Sequence, residues 1–258
     1  KIKLMRFTLS STALSSKLSA LARVINSKNS IAILSSFVFR TEGNTLYLIA
    51  SDGENWLSTS MELAECDTND SFAIDNHYIF DAVKGFPEQP LTFEVNLNNN
   101  TAKVTYLNGH FSLPVEQADS FPEPQGVDDN SNEIVIKSNI LAENINRSLF
   151  ATAQEELRPV MNGIYFDATQ ECLTIVASDG HKLVRNRVFS IKVEQPAAFI
   201  LPKKPAGLLK NMLAKDDSEV VIRFDNRNAQ LVFGDNTIFC RLIEGRYPNY
   251  NSVIPQNK

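Results

Sequence analysis

The sequence predicts an α+β fold, written as two tandem domains of antiparallel strands with helices packed against them. Three observations carry that prediction. The first is a duplication. Shifting the chain by 127 positions lays Phe39 on Phe166, Leu46 on Leu173, Leu48 on Ile175, and Ala50-Ser51-Asp52-Gly53 on Ala177-Ser178-Asp179-Gly180. The second is period-two alternation: Val160, Ile164 and Phe166, then Leu173 and Ile175, each set between polar neighbours, as in half-buried strands. The third is helical spacing at Leu14, Leu18, Leu21 and Ile25, with Leu141 and Ile145 standing 127 positions after Leu14 and Leu18.

Size and composition set the frame. At 258 residues two domains are favoured over one. Hydrophobic residues make up 43% and charged ones 21%, which is globular. No apolar run approaches the ~18 residues a membrane span needs. Cys66, Cys172 and Cys240 are widely spaced and form no CxxC pair, so a reducing, cytoplasmic setting is the simplest reading; one disulfide plus a free thiol is the alternative.

The first copy opens with a strand at residues 7–9, and Ser10 or Ser11 is placed to cap the helix that follows. A hairpin comes next, then a strand at 57–63 and a second helix at 76–86, stopped by Gly85 and Pro87. Residues 91–95, 102–106 and 111–115 alternate as strands, with Asn108-Gly109 as a turn. From 117 to 132 the apolar pattern gives way to Pro, Gly, Asp and Asn, a linker that separates domains 1–125 and 132–258. The second copy repeats the order: a strand at 134–136, Ser138 as cap, a helix, the hairpin, a strand at 184–193, then Phe199-Ile200-Leu201 leading into a basic helix around 208–213. Strands at 220–224, 229–233 and 238–242 close it.

Charge is unevenly distributed. The net charge of −5 argues against nucleic acid, yet residues 1–41 hold no acid while carrying Lys17, Arg23, Lys28 and Arg40. Residues 202–215 are likewise acid-free and carry Lys203, Lys204, Lys210 and Lys215.

Catalytic signatures are missing. His77, His110 and His181 have no HExxH or HxxxH spacing, and no Cys–His or Cys–Cys spacing suggests zinc, so no metal site and no cofactor is expected. GxSxG, GxxxxGK[ST] and GxGxxG do not occur. Ser178-Asp179-Gly180-His181 is the one tempting cluster, but its twin Ser51-Asp52-Gly53-Glu54 lacks the histidine, and Asp-Gly is ordinary tight-turn chemistry. Trp56, in a strand, is expected in a core.

RPVMNGIYFD followed by VASDGHKL, then LPKK at a helix start and EGRYPNY with VIP near residue 255, resembles the bacterial DNA polymerase III beta subunit, the sliding clamp. The resemblance runs collinearly over essentially the whole chain. It implies the DNA clamp fold: tandem domains, each with two helices packed on antiparallel sheets, in a closed ring around duplex DNA. It implies no catalysis and no cofactor. The partners it implies are duplex DNA bound without sequence preference, the polymerase III alpha subunit, the clamp loader and other clamp-binding proteins, with a homodimer for the full-length parent and no membrane.

On this resemblance helices 12–26, 76–86, 138–153 and 203–213 face the DNA, with Lys17, Arg23, Lys28, Arg147, Lys203, Lys204 and Lys210 as the contacting cations. His77 and Tyr78 stand where a family member has two basic residues, and Glu155 stands at a polar DNA-contacting position. A hydrophobic groove for partner peptides maps to Arg158, Met161, Ser178, Gly180, His181, Lys182, Leu183, Pro248 and Val253. Phe111 and Leu113 map to the subunit contact. Family members carry three such domains per chain, so two imply a fragment, with a ring of three two-domain chains as the alternative. The competing reading is a small-molecule enzyme or lectin-like β-rich module using the turn from Ser178 to His181. It requires a polar pocket with converging acids, where the clamp requires a shallow apolar groove.

Overall fold

The computed structural model describes residues 4–28, 30–66, 68–154, 157–213 and 217–255. The chain clusters into two compact units, residues 1–124 with 235–237 and residues 125–234 with 238–258. Among the described residues no helix is long and apolar enough to cross a membrane.

In the first unit, β1 (Leu4–Ser10) turns Met5, Phe7 and Leu9 into the core by strict alternation. α1 (Ser11–Leu21) starts where the Ser10 hydroxyl accepts the Ala13 N–H, and it buries Leu14, Leu18 and Leu21 completely. It ends before residue 26 because the Val24 N–H donates to the Leu21 carbonyl at 3.0 Å. That tighter step turns Val24 into the core, leaving Ile25 only half-buried. The hairpin strands follow as β2 (Ser36–Glu42), β3 (Thr45–Ser51) and β4 (Asn55–Glu62).

Three short strands escape the sequence pattern: β5 (Glu65–Cys66), β6 (Ser71–Asp75) and, further along, Glu116–Gln117. β6 pairs with β2, and its Phe72, Ala73 and Ile74 are consecutive and buried, so no alternation marks it. α2 (Asn76–Val83) is capped by Asp75, which accepts the His77 N–H, and stops three residues short of Phe86. β7 (Pro90–Asn96), β8 (Thr101–Tyr106), β9 (Gly109–Pro114) and β10 (Glu116–Gln117) complete the unit. One sheet runs β5-β1-β7-β8-β9 and the other set β10-β6-β2-β3-β4, with α1 and α2 packed on each other. Phe7 meets Phe72 at 6.3 Å and Phe39 meets Phe93 at 6.0 Å, tying strands of the two sets together.

The segment expected to be a free linker is partly anchored. Phe121 is buried, the Trp56 indole N–H donates to the Pro122 carbonyl at 2.8 Å, and Arg40 meets Glu123 at 2.7 Å. Trp56 is therefore core-packed with its polar edge satisfied.

The second unit holds β11 (Asn132–Lys137), α3 (Ser138–Ser148), β12 (Gly163–Ala168), β13 (Leu173–Ser178), β14 (Leu183–Val188), β15 (Ala197–Pro202), α4 (Lys203–Met212), β16 (Glu219–Phe224), β17 (Asn228–Phe233) and, from Ile238 on, β18 (Asn236–Arg241). The first residues of α1 and α3 stand 127 positions apart, as do those of β8 and β17 and of β9 and β18, so the repeat extends well beyond the hairpin. Strand orders are β14-β13-β12-β15 and β18-β17-β16-β11, and every recorded pairing is antiparallel. α3 and α4 pack together.

Three expectations change here. Ser138 does not cap α3; it is the first helical residue, buried, with its N–H donating to the Ser218 carbonyl at 2.7 Å. α3 gives way at Leu149 to a 3-10 turn whose end is held by the Thr152 hydroxyl donating to the Leu149 carbonyl at 2.8 Å. β14 stops at Val188, not 193, because the Val193 N–H leaves the ladder for the Thr169 carbonyl at 3.0 Å.

Candidate functional site

The duplicated Asp-Gly turn shows how local chemistry builds the site. Between β13 and β14 the Asp179 carboxylate accepts the backbone N–H groups of His181 and Lys182, both at 2.9 Å. The Ser178 hydroxyl accepts the Gly180 N–H at 3.1 Å and donates to the Lys182 carbonyl at 2.9 Å. Gly180 sits at φ +89°, a conformation side chains avoid, and a Cβ there would come 3.3 Å from the Arg158 guanidinium. Those backbone N–H groups hold the Asp179 carboxyl well below the ordinary carboxylate range, with the Lys182 side chain, 3.1 Å away, contributing less. A carboxylate spent on its own turn is unavailable for chemistry, which removes the catalytic reading of the cluster.

The turn presents one wall of a hollow of about 710 Å³ in the second unit. All nine residues mapped from the sequence, Arg158, Met161, Ser178, Gly180, His181, Lys182, Leu183, Pro248 and Val253, line it. Tyr247, Asn249 and Tyr250 line it as well and were not singled out; an aromatic–proline–polar–aromatic run was the available signal. Met161 is 6% exposed and forms the floor, Leu183 is half-buried, and Val253 is 67% exposed. An apolar side chain this open is not core, so Val253 offers surface to a ligand. Arg158, His181 and Lys182 are exposed at the rim. Among the described residues no carboxylate lines the hollow, the opposite of the converging acids an enzyme or lectin reading requires. Among the described residues no group of three or more His, Cys, Asp or Glu is placed to hold a metal ion.

The floor rests on the face of the β14-β13-β12-β15 sheet that points away from α3 and α4. There Val176, Ile200 and Tyr247 are buried together, with Val160, Tyr165, Leu183, Ile243 and Tyr250 packed around them. The chain after β18 crosses this face: the Tyr247 ring stacks on Tyr165 at 4.7 Å, and Tyr250 meets the same ring edge-on at 6.3 Å. Burial pushes the Tyr247 phenol up to about 12, opposed only by the nearby Ser178 N–H.

The predicted DNA-contacting cations are not equivalent. Arg23, Lys28 and Lys210 are exposed. Lys17 instead reaches Thr59 at 3.1 Å and Asp235, which clusters with the first unit, at 3.3 Å. Arg147 pairs with Glu143 one turn back on α3. Lys203 and Lys204, which open α4, are half-buried, and burial lowers the pKa of Lys203. His77 and Tyr78 are exposed on α2, while Glu155 lies outside the described residues.

At the first unit's sheet edge, Phe111 and Leu113 share the inward face of β9. Leu113 is 8% exposed, and Phe111 packs near Phe86 at 6.3 Å and Tyr106 at 6.1 Å. Alternation explains this: His110, Ser112 and Pro114 are the exposed residues of the strand.

Comparison with known proteins places this geometry. Residues 5–125 match the model for the DNA polymerase III beta subunit, N-terminal domain, and residues 135–249 match that for the central domain of the same subunit. The chain is 26% identical over 254 residues to the beta sliding clamp of Buchnera aphidicola, covering 98% of this chain and 69% of that protein. The Escherichia coli beta sliding clamp is 26% identical over 258 residues with the same coverages, 98% and 69%. Among solved structures, a sliding clamp from Pseudomonas aeruginosa bound to griselimycin superposes with a TM-score of 0.92 at 25% identity, covering 99% of this chain and 69% of that one.

Proposed function

The chain belongs to the DNA polymerase III beta-subunit family, the beta sliding clamps, and we propose that it works through two surfaces: exposed helix cations toward duplex DNA, and the second-unit hollow toward partner peptides. The family is non-catalytic; its members hold a polymerase on its template. Cations that meet phosphates supply attraction without reading bases, which suits a sliding contact. Arg23, Lys28 and Lys210 are the side chains with charge open to that role.

The observation that carries the peptide reading is convergence. Residues from three separate stretches meet in one hollow with an apolar floor and a cationic rim. Met161, Leu183 and Val253 take a partner's apolar anchors, and Arg158, His181 and Lys182 take its polar or acidic groups. The occupants are the polymerase III alpha subunit, the clamp loader and other proteins with short clamp-binding segments. The β9 edge serves the homodimer contact, since an unpaired strand edge invites another chain. The free thiols Cys66, Cys172 and Cys240 agree with a cytoplasmic location.

The test is topological. The full-length protein, loaded on nicked circular DNA, is retained through a salt wash and released when the circle is linearised. Equal retention on linear and circular DNA would contradict encirclement.

A further inference from the structure

One wall of the hollow, carrying Pro248 and Val253, belongs to no strand. The chain leaves β18 at Arg241, and the Ile243 N–H donates to the Ile200 carbonyl at 3.1 Å. From there side chains hold it to the sheet. Tyr165 and Asp167 lie on the face of β12 opposite the buried Ile164, Phe166 and Ala168. The Tyr250 hydroxyl donates to Asp167 Oδ2 at 3.0 Å, across 83 residues of sequence. Tyr250 opens the 3-10 turn Tyr250–Val253, which the Asn249 side chain caps by accepting the Asn251 N–H. Pro248 lies two residues before the anchored ring and Val253 three after it.

We propose that Asp167 is a positioning residue for the groove: by fixing the Tyr250 hydroxyl it sets where Pro248 and Val253 stand before a partner arrives. Asp167 does not line the hollow, so its effect on a ligand runs through Tyr250. The inference rests on the peptide-groove reading above. Burial, followed by the charge of Asp167, pushes the Tyr250 phenol up to about 12, so it remains a protonated donor throughout the neutral range. Without the bond the wall samples other positions, and binding must reorder it at a cost in affinity.

The experiment is a fluorescence-anisotropy titration of the full-length clamp with a fluorescein-labelled peptide copied from the C-terminal tail of the polymerase III alpha subunit. Tyr250→Phe and Asp167→Ala are each expected to weaken binding by roughly three- to tenfold, the scale of one hydrogen bond. The double variant should be no weaker than Tyr250→Phe alone, because the phenylalanine already removes the bond that Asp167→Ala targets, together with the hydroxyl's hydrogen bond to Thr174. Asp167→Asn, whose amide oxygen still accepts, should stay within about twofold of the parent. Leu183→Ala serves as the control on the groove itself. If Leu183→Ala weakens the peptide while Tyr250→Phe and Asp167→Ala do not, the positioning role fails and the groove stands. Losses that multiply in the double variant, or an Asp167→Asn as weak as Asp167→Ala, also overturn it. Unchanged affinity in Leu183→Ala would remove the groove and the role of Asp167 together. Should Asp167→Ala unfold, Tyr250→Phe and Asp167→Asn still decide the matter.

Discussion

Asp52 and Asp179 make the same turn in the two units: Asp52 Oδ1 accepts the N–H groups of Glu54 at 3.0 Å and Asn55 at 2.8 Å, and Asp179 Oδ1 accepts those of His181 and Lys182 at 2.9 Å. The first closes the turn between β3 and β4, while the second closes the turn that lines the hollow. Asp179→Ala should weaken a groove peptide several-fold, and Asp52→Ala should leave it unaffected; isothermal titration of the two variants separates them. The pH dependence has a definite sign. The Asp179 carboxyl is depressed, so its contribution is present above the ordinary carboxylate value of 3.8 and is lost as pH falls below it. Peptide binding that strengthens on acidification through that range would count against the turn's role.

The alkaline side is governed by phenols. Tyr247 and Tyr250 are pushed up to about 12, first by burial, and Tyr165 is raised for the same reason. A raised phenol favours the neutral form in the fold, so stability from it is whole below the ordinary value of 10.0 and declines as pH rises toward 12. For Tyr247, 7% exposed, this is on the order of 2 kcal/mol. Urea melts of the Tyr247→Phe variant should lack that part of the decline. Parent and variant declining identically above pH 10 would refute it.

For DNA, the exposed cations matter more than the paired ones. Lys28→Ala, Arg23→Ala and Lys210→Ala should each shallow the log affinity against log salt slope by about one unit or less. Arg147→Ala should change it less, because Glu143 already neutralises that charge. Salt titrations of the full-length clamp on duplex DNA read this directly, and equal slopes for all four variants would undo the ranking.

At the strand edge, Phe111→Ala in the full-length protein should weaken self-association by about tenfold in sedimentation. Leu113→Lys is not a clean probe, since a charge at a site 8% exposed lowers the melting temperature of the unit as well. A dimer untouched by Phe111→Ala would remove that residue from the contact.

Much of this was legible in the chain itself. The 127-residue repeat foretold both hairpins and the partner of nearly every long element, because alternation and helical spacing record burial directly. β5, β6 and β10 were invisible: the first and last have two residues each, and β6 buries three in a row. The hollow's lining was reached through family motifs, and its three extra members, Tyr247, Asn249 and Tyr250, sat unremarked inside the EGRYPNY run. Their register against β12 depends on ring contacts and on the Asp167 bond, which leave no periodic trace. The charge reading was the weakest. Residue type gives the sign of a cation, but only the fold reveals that Lys17 is already engaged by Thr59 and Asp235.

Leu183 tests the account most directly. It is half-buried in the hollow, so truncation removes contact surface without emptying a core as Met161→Ala would. In the full-length clamp, Leu183→Ala should weaken the polymerase-tail peptide by about tenfold, and combined with Met161→Ala by well over that, while retention on circular DNA is unchanged. Affinity equal to the parent's in a folded Leu183→Ala protein would contradict the assignment of this hollow as the partner groove.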